Sequence, residues 1–320
     1  MPDVLDDIRT TCARVSEDAT WVHIDHERLA VYADSFPLRP ADGDDVDPAR
    51  TRVGDDEATA SFVIALDAIN FGSGYFPYIR KRPGMSGYFT IATSLRDHVD
   101  EHGPLTTSDL RAMTTEACAH IFGQQLDGGF AAELMARFSL ALGHLADHVD
   151  ERHGSSFAAL VESVGSSAEG MVRELDRIPE FRDVASYRGY DVPLYKRAQI
   201  TAYDLAEAFG REGLGRFDDL HRLTMFADNL VPHVLRVDGV LTFHPELVAR
   251  IERVDDITSG SEPEVEIRAV ALHAVELMVD RLHRSGHDIT SGELDSWLWT
   301  RGGSDAYKAV TRHRTRCVYY

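Results

Sequence analysis

Asp228 is the residue in this sequence best placed to do chemistry, because it is a carboxylate inside the otherwise apolar segment 223–232. Apolar residues at three- and four-residue steps from Leu220 to Leu230 predict a helix, and Pro232 predicts that this helix breaks just after Asp228. Burying a carboxylate among apolar side chains is costly. Two interpretations are therefore open: Asp228 takes part in a reaction, or an Asp or Asn there caps the next short helix.

Two adjacent cations, Lys196 and Arg197, lie in an apolar stretch that predicts a helix running through Phe209. Neighbours on a helix point about 100° apart, so at most one of the two need face a pocket. The alternative is a side chain that lays its stem on the protein and keeps its charge in water.

The C-terminal segment offers further cations and aromatic rings. Arg314 and Arg316 carry guanidinium forks suited to phosphate or carboxylate, and they share one face if the tail is extended. A tail ending in Val-Tyr-Tyr is expected to dock on the body of the protein, and an ordinary salt-bridging tail is the alternative. Upstream, Trp297 and Trp299 offer rings either for a planar base or for the core.

A buried-looking helix is predicted to end at Asn70 and Phe71, where Gly72 and Gly74 follow. This arrangement fits either a loop that wraps a ligand or a plain helix end. The Gly-x-Gly pattern lacks the preceding strand of a dinucleotide-binding fingerprint, which excludes that interpretation.

Glu266 and His273 lie seven residues apart, and hence on one side of a predicted helix, next to its buried stripe. Such a pair fits the polar lining of a pocket or an internal ion pair. The 15 histidines are dispersed and no set has convincing metal-ligand spacing, so we predict no metal.

Composition limits the partners. The formal net charge of −20 repels nucleic-acid polymers and anionic membranes, so a phosphate ligand needs a local cluster of cations. The same acidity is equally consistent with solubility or a salt-rich habitat. Cys12, Cys118 and Cys317 are too few and too scattered for a disulfide framework. With an acidic N-terminus and no long uncharged apolar run, we expect a cytoplasmic protein with no signal peptide and no membrane span.

The periodicity predicts a mainly α protein. Apolar spacing is helical around 134–149 and 267–278, Thr106 and His244 look like helix starts, and strand signals are sparse. The clearest strand signal is a small β-hairpin over 237–243, centred on Asp238-Gly239. We expect one domain over 1–320, built as a single helical body or as two intimate helical lobes with the active site between them, and an exposed acidic loop over 40–57.

Together these segments resemble the queuosine salvage family, the queuosine 5′-phosphate N-glycosylase/hydrolases. The stretches that carry the resemblance follow the family's order to the last residue: DAINF at 67–71, LYKRAQI at 194–200, LTMFADNLVPHVL at 223–235, EIRAVALHAVELM at 266–278, LDSWLW at 294–299 and HRTRCVYY at 313–320. The sequence departs from eukaryotic members at Gly-Ser-Gly-Tyr-Phe after Phe71 and at Asn229.

The resemblance implies a helical body similar to that of helix-hairpin-helix DNA glycosylases. It also implies hydrolysis of queuosine 5′-monophosphate, which releases queuine for salvage into tRNA modification, without a cofactor. The family's catalytic aspartate falls on Asp228. The other residues expected to contact the nucleotide are Asn70, Phe71, Lys196, Asn229, Glu266, His273, Trp299, Arg314 and Arg316.

The expected partner is a small nucleotide rather than a nucleic-acid polymer, and the expected state is a monomer. Three alternatives stay open. The departures after Phe71 fit a nucleosidase for another modified nucleoside 5′-monophosphate, and the implied fold allows a DNA-repair glycosylase, against which the net charge speaks. A non-catalytic nucleotide-binding protein is the third.

Overall fold

The computed structural model describes residues 3–37 and 47–320. Within them the protein is mainly helical, as predicted, with two small antiparallel sheets of two strands each. In chain order the strands are β1 Val22–Ile24, β2 Val184–Tyr187, β3 Tyr190–Pro193 and β4 Leu241–Phe243. The helices are α1 Val4–Asp18, α2 His26–Ser35, α3 Asp56–Ala68, α4 Gly87–His102, α5 Thr107–Ala112, α6 Thr115–Ile121, α7 Phe130–His153, α8 Phe157–Ser163, α9 Ala168–Leu175, α10 Lys196–Ala208, α11 Leu230–Val237, α12 Pro245–Glu252, α13 Glu262–Arg284, α14 Ser291–Gly302 and α15 Asp305–Lys308.

The chain divides into two compact units. The described part of the first unit is 3–37, 183–196 and 221–316, and that of the second is 47–182, 197–220 and 317–320. In the first unit α13 is the central helix, because α1, α2, α11, α14 and the β1–β4 sheet all pack on it. In the second unit α7 is packed by α3, α5, α6 and α8.

Four helical features predicted from the sequence are present in the structure. α7 and α13 contain the two periodic segments, Thr106 starts α5 through a capping box, and His244 precedes α12. α13 carries Pro263 in its first turn with Glu262 and Glu264, and basic residues in its last turn. These are the helix-terminal charges that the backbone dipole favours.

The predicted hairpin over 237–243 is wrong. Val237 is the last residue of α11, and Gly239 has a positive φ of 79°. The Val240 N–H then bonds the Leu235 carbonyl at 2.8 Å, so Asp238-Gly239 closes a Schellman-type helix end rather than a hairpin turn. The strand that follows, β4, pairs with β1 near the N-terminus, and the hairpin in this unit is β2–β3.

The loop predicted over 40–57 lies partly outside the described residues, at 40–46. The described remainder is more ordered than expected, because Pro48–Arg50 forms a 3-10 turn and α3 already begins at Asp56. Ala49 and Val53 are buried, so this stretch is not a simple exposed loop. Among the described residues, no helix is long and apolar enough to cross a membrane.

Candidate active site

Asp228 ends an irregular segment, 223–228, that lies between the 3-10 turn Leu220–Arg222 and α11. The helix predicted up to Asp228 is therefore wrong. Pro232 is the third residue of α11, where its missing N–H is one that the helix would leave unpaired in any case. The proline thus belongs to the start of a helix, and Asp228 precedes that start.

The irregular segment is buried from Leu223 to Ala227, so its backbone polar groups need partners. Side chains from distant parts of the first unit supply them. The contacts are Arg9 Nη2 to the Leu223 carbonyl at 3.4 Å, the Phe226 N–H to Asp295 Oδ1 at 3.1 Å, and Arg268 Nε to the Ala227 carbonyl at 2.8 Å. The position of the residue before Asp228 is thereby fixed by a buried arginine.

The two carboxylate oxygens of Asp228 have different surroundings. Oδ1 accepts the N–H groups of Leu230 at 2.8 Å and Val231 at 3.0 Å, which caps α11. Oδ2 accepts no hydrogen bond from any described residue, and the side chain is only partly buried. The capping interpretation is therefore correct in its geometry, and it leaves one oxygen free to face a ligand.

Burial raises the pKa of Asp228 above its ordinary value, while Lys196 opposes that shift most strongly. The two backbone N–H groups and Arg312 lower the pKa further. Desolvation favours the neutral acid and nearby cations favour the carboxylate. The site therefore holds a carboxylate that is more basic than usual and is kept ionisable by cations.

A buried ion pair supports both Asp228 and Lys196. Arg268 donates to Asp183 through Nη1 at 3.0 Å and Nη2 at 2.5 Å, in addition to its bond to the Ala227 carbonyl. Asp183 in turn accepts the backbone N–H of Lys196 at 3.1 Å. One pair of side chains thus connects the backbone next to the carboxylate with the backbone of its main opposing cation.

Tyr195, directly before Lys196, has a φ of 47°. This is the left-handed region, which costs a non-glycine residue roughly 1–2 kcal/mol. Its N–H is bonded to the Asp183 carbonyl at 3.2 Å, beside the same contact from Leu194 at 2.9 Å. Asp183 therefore stabilises the strained turn that leads into α10.

The C-terminal tail is non-helical and forms a parallel β-bridge between Arg314 and Asp256, which is the extended case in which Arg314 and Arg316 share one face. Burial alternates along the tail, because His313 and Thr315 are buried whereas Arg312, Arg314 and Arg316 are partly exposed. The Arg314 carbonyl accepts the Ile257 N–H at 2.8 Å, which docks the tail on the first unit. Arg316 forms an ion pair with Asp256, as the salt-bridging alternative expected.

Two other predicted residues, Asn229 and Trp299, belong to the same unit as Asp228. Asn229 is buried, and its amide nitrogen lies 3.5 Å from the carbonyl of His313 in the tail. Trp299 is a partly buried residue of α14, the helix that packs on α11.

Glu266 and His273 have other surroundings in the first unit. Glu266 Oε2 accepts three backbone N–H groups at 20–22, and Oε1 accepts the Tyr187 hydroxyl at 2.9 Å. Burial lowers the pKa of His273, and the charges that act on it are those of Glu276, His26, Glu17 and Asp280. The structure groups neither residue with Asp228, Lys196 and Arg312.

Asn70 and Phe71 belong to the second unit. The Asn70 amide donates to Asp67 Oδ1 at 3.1 Å. The Phe71 ring is 1% exposed and packs edge-on against Phe138, with the guanidinium of Arg197 4.9 Å from its centroid. In this structure Phe71 is therefore a core residue of its unit, with no exposed face for a base.

Arg197 is buried in the second unit, where it donates to the carbonyls of Ala68 and Glu180. This burial agrees with the expectation that at most one of the two adjacent cations, Lys196 and Arg197, faces a pocket. Lys196 is the one whose charge acts on Asp228.

His148, His153 and Glu174, in the second unit, are the one group of metal-ligand types that the described part of the chain brings together. Glu174 lies 3.0 Å and 3.1 Å from the two imidazole nitrogens, but Arg152 and Arg177 also contact its carboxylate. Two guanidinium charges on the same carboxylate oppose a bound cation.

Sequence reasoning missed three residues of this site: Arg312, Arg268 and Asp183. Arg312 continues the alternation of 314 and 316 by one step, so the same pattern could have found it. Arg268 and Asp183 carry no comparable signal, because the two are 85 residues apart and meet only in the folded unit.

Comparison with known proteins gives a consistent result. The family described as "Queuosine salvage protein" matches residues 50–320. A relative from Sphaerobacter thermophilus is 35% identical over 318 residues, which cover 98% of this chain and 97% of that protein. Relatives from Dictyostelium discoideum and Mus musculus are 32% and 30% identical, and cover 82% and 83% of this chain and 79% and 83% of their own lengths. All three are named queuosine 5′-phosphate N-glycosylase/hydrolase. The chain therefore belongs to the queuosine salvage protein family.

Proposed function

We propose that this protein hydrolyses the N-glycosidic bond of queuosine 5′-phosphate and releases queuine for reuse in tRNA modification. The observation that carries the proposal is the Asp228 carboxylate. One of its oxygens is bound by a helix start, the other accepts no hydrogen bond from the described residues, and the charge of Lys196 acts on the group. The names of the relatives, which match over most of the chain, supply the substrate.

In this reaction the C1′–N bond breaks, its electron pair leaves with the base, and a water oxygen bonds to C1′. Positive charge builds on the ribose as the base departs, as in other glycoside cleavages. The free Oδ2 of Asp228 can stabilise that charge or accept the proton of the attacking water. Both roles require the ionised carboxylate, which the cations Lys196 and Arg312 favour.

Queuine is a 7-deazapurine, so it lacks the ring nitrogen that is usually protonated when a purine leaves. A hydrogen bond to another atom of the base must therefore accompany its departure. We assign the nucleotide's contacts first to Asp228 and Lys196, and Trp299 is the proposed ring for the base. Glu266 and Phe71, whose polar groups or faces are fully engaged within their own units, are not part of the proposed site.

The proposal is tested with Asp228→Asn, which keeps an oxygen acceptor for the helix start and removes the charge. We expect turnover of queuosine 5′-phosphate to fall by orders of magnitude while the fold is retained. Asp219→Asn is the matched control, because Asp219 likewise accepts two backbone N–H groups at a helix start, those of Ala168 and Glu169. Release of queuine by Asp228→Asn at the parental rate would remove Asp228 from the reaction.

The same assay with a panel of modified and ordinary nucleoside monophosphates tests the substrate. Gly-Ser-Gly-Tyr-Phe after Phe71 motivates this panel, since it departs from the eukaryotic pattern. Preferred release of a different base would keep the reaction class and replace the substrate.

The three cysteines are free and buried. We propose that the protein is a monomer and that it acts in the cytoplasm on the free nucleotide.

A further inference from the structure

Two arginines of the tail carry positive charge without a counter-ion. The guanidinium groups of Arg312 and Arg314 make no hydrogen bond and no ion pair with any described residue, although the Arg314 backbone is bonded to Ile257. Arg316, two residues further along the tail, is paired with Asp256. Burial lowers the pKa of Arg312, and Arg314 lowers it further by repulsion. Asp228 is the one acidic group that counters these effects, and it does so without a hydrogen bond.

Holding two like charges side by side in a partly buried place is unfavourable, because both lose hydration and repel each other. The chain could relieve that cost with any of its 53 acidic residues, as it does at Arg316. The protein has a net charge of −20, so this local excess of positive charge is opposite in sign to the protein as a whole. An anionic ligand bound between the two arginines would explain it. A dianion of compact shape would neutralise both guanidinium groups.

We propose that Arg312 and Arg314 form the subsite for the 5′-phosphate of the nucleotide, and that Arg316 lies outside it. The inference rests on the proposed function. Guanidinium forks match the geometry of phosphate oxygens and bind them through charge-assisted hydrogen bonds. In a nucleoside 5′-phosphate only a few covalent bonds separate C1′ from phosphorus. A cation whose charge reaches Asp228 is therefore suitably placed to hold the phosphate while Asp228 faces C1′.

The subsite makes Arg312 the residue that discriminates nucleotide from nucleoside. Losing one charge-assisted contact to the phosphate should lower kcat/KM for queuosine 5′-phosphate about 10- to 100-fold in Arg312→Met. The value for the nucleoside queuosine, which has no phosphate, should change less than about two-fold. Arg314→Met should give the same nucleotide-specific loss. Because Arg312 has no partner to lose, its replacement should not lower the thermal unfolding temperature.

The control variant is Arg236→Met. Arg236 is also a partly buried arginine of the first unit whose pKa is lowered by burial, but the one charge that counters this burial is Glu252 rather than Asp228. It should retain the parental ratio of nucleotide to nucleoside turnover. If Arg312→Met reduced both substrates equally, or if Arg316→Met alone gave the nucleotide-specific loss, the assignment would be overturned.

A second measurement does not depend on turnover. Calorimetric titration with inorganic phosphate should show binding to the parent protein and to Arg236→Met, and about 10-fold or weaker binding to Arg312→Met. If the parent bound phosphate in this way but released no base from any nucleotide, the proposed function would fail and the subsite would stand. Equal phosphate affinity in the parent and Arg312→Met would remove the subsite whatever the activity.

Discussion

The buried pair of Arg268 and Asp183 yields a prediction that separates support of the fold from support of the reaction. Arg268→Met removes two bonds to Asp183 and the bond to the Ala227 carbonyl, and it leaves the Asp183 carboxylate buried without its cation. Breaking a buried ion pair from one side typically costs about 3–5 kcal/mol. We expect a loss of that size in the free energy of unfolding, measured by urea titration.

Adding Asp183→Asn to Arg268→Met removes the uncompensated charge at residue 183 and keeps an oxygen that can accept the Lys196 N–H. The buried Glu264, which lies 3.7 Å from Arg268 Nη1, still loses that cation in the double variant. Neighbouring residues of one network couple by about 0.5–3 kcal/mol, so the double variant should recover at least about 1 kcal/mol. It still lacks the bond to the Ala227 carbonyl. Since a misplacement of about 1 Å at a reacting group can cost about 100-fold in rate, kcat should stay about that much below the parental value.

The assay is queuine release per folded molecule, at a temperature where each variant is folded. Arg50→Met is the matched control, because Arg50 pairs with the buried Asp204 in the second unit at 3.0 Å. It should lose stability and keep kcat. If the Arg268→Met/Asp183→Asn double variant regained turnover together with stability, Arg268 would be a purely structural residue and the positioning argument would be refuted.

Three further predictions concern charge, two of them at the site and one at α13. Because the pKa of Asp228 is raised, kcat/KM should fall on the acidic side of its pH profile at a pH above the ordinary Asp value of about 3.9. Lys196→Met should move this fall to still higher pH, because the charge that opposes the effect of burial is gone. A fall at the parental pH in Lys196→Met would contradict Lys196 as the main opposing cation. By the same sign, the folded state holds this proton more tightly than the unfolded chain, so the stability that the group contributes at low pH is lost as pH rises through its folded pKa. Asp228→Asn should therefore be at least as stable as the parent at neutral pH, which thermal unfolding measures. Glu266→Gln should lower the free energy of unfolding by about 1.5–3 kcal/mol, because its carboxylate accepts charge-assisted bonds from 20–22 and Tyr187, and should leave KM unchanged; a raised KM at parental stability would return Glu266 to the substrate site.

The sequence predicted the elements whose signals are local. α7, α13 and the start of α5 follow from periodicity and capping residues, which act within a few positions. The hairpin at 237–243 failed because Asp-Gly also closes helices, and only the distant partner β1 distinguishes the two outcomes.

The site shows the same division. Asp228, Lys196 and the alternating arginines were predicted from residue type and spacing. The structure differs at Asp228, which precedes the start of a helix instead of ending one. The apolar spacing before Asp228 fits a helix as well as it fits the observed irregular segment. In the structure, side chains from distant parts of the unit bind backbone groups of this segment that would bond to each other in a helix. A single sequence carries no signal for such long-range contacts.

The anchors of segment 223–228 also bear on how the protein folds. Its backbone contacts join residues separated by 214, 69 and 41 positions along the chain. Contacts between residues so far apart close large loops and form slowly. The segment is not helical, so it has no helical ladder of local hydrogen bonds that could form early. We therefore expect the Asp228 carboxylate to reach its native position among the last steps of folding, after α1, α13 and α14 have packed, so that a partly folded chain holds the proposed site incomplete.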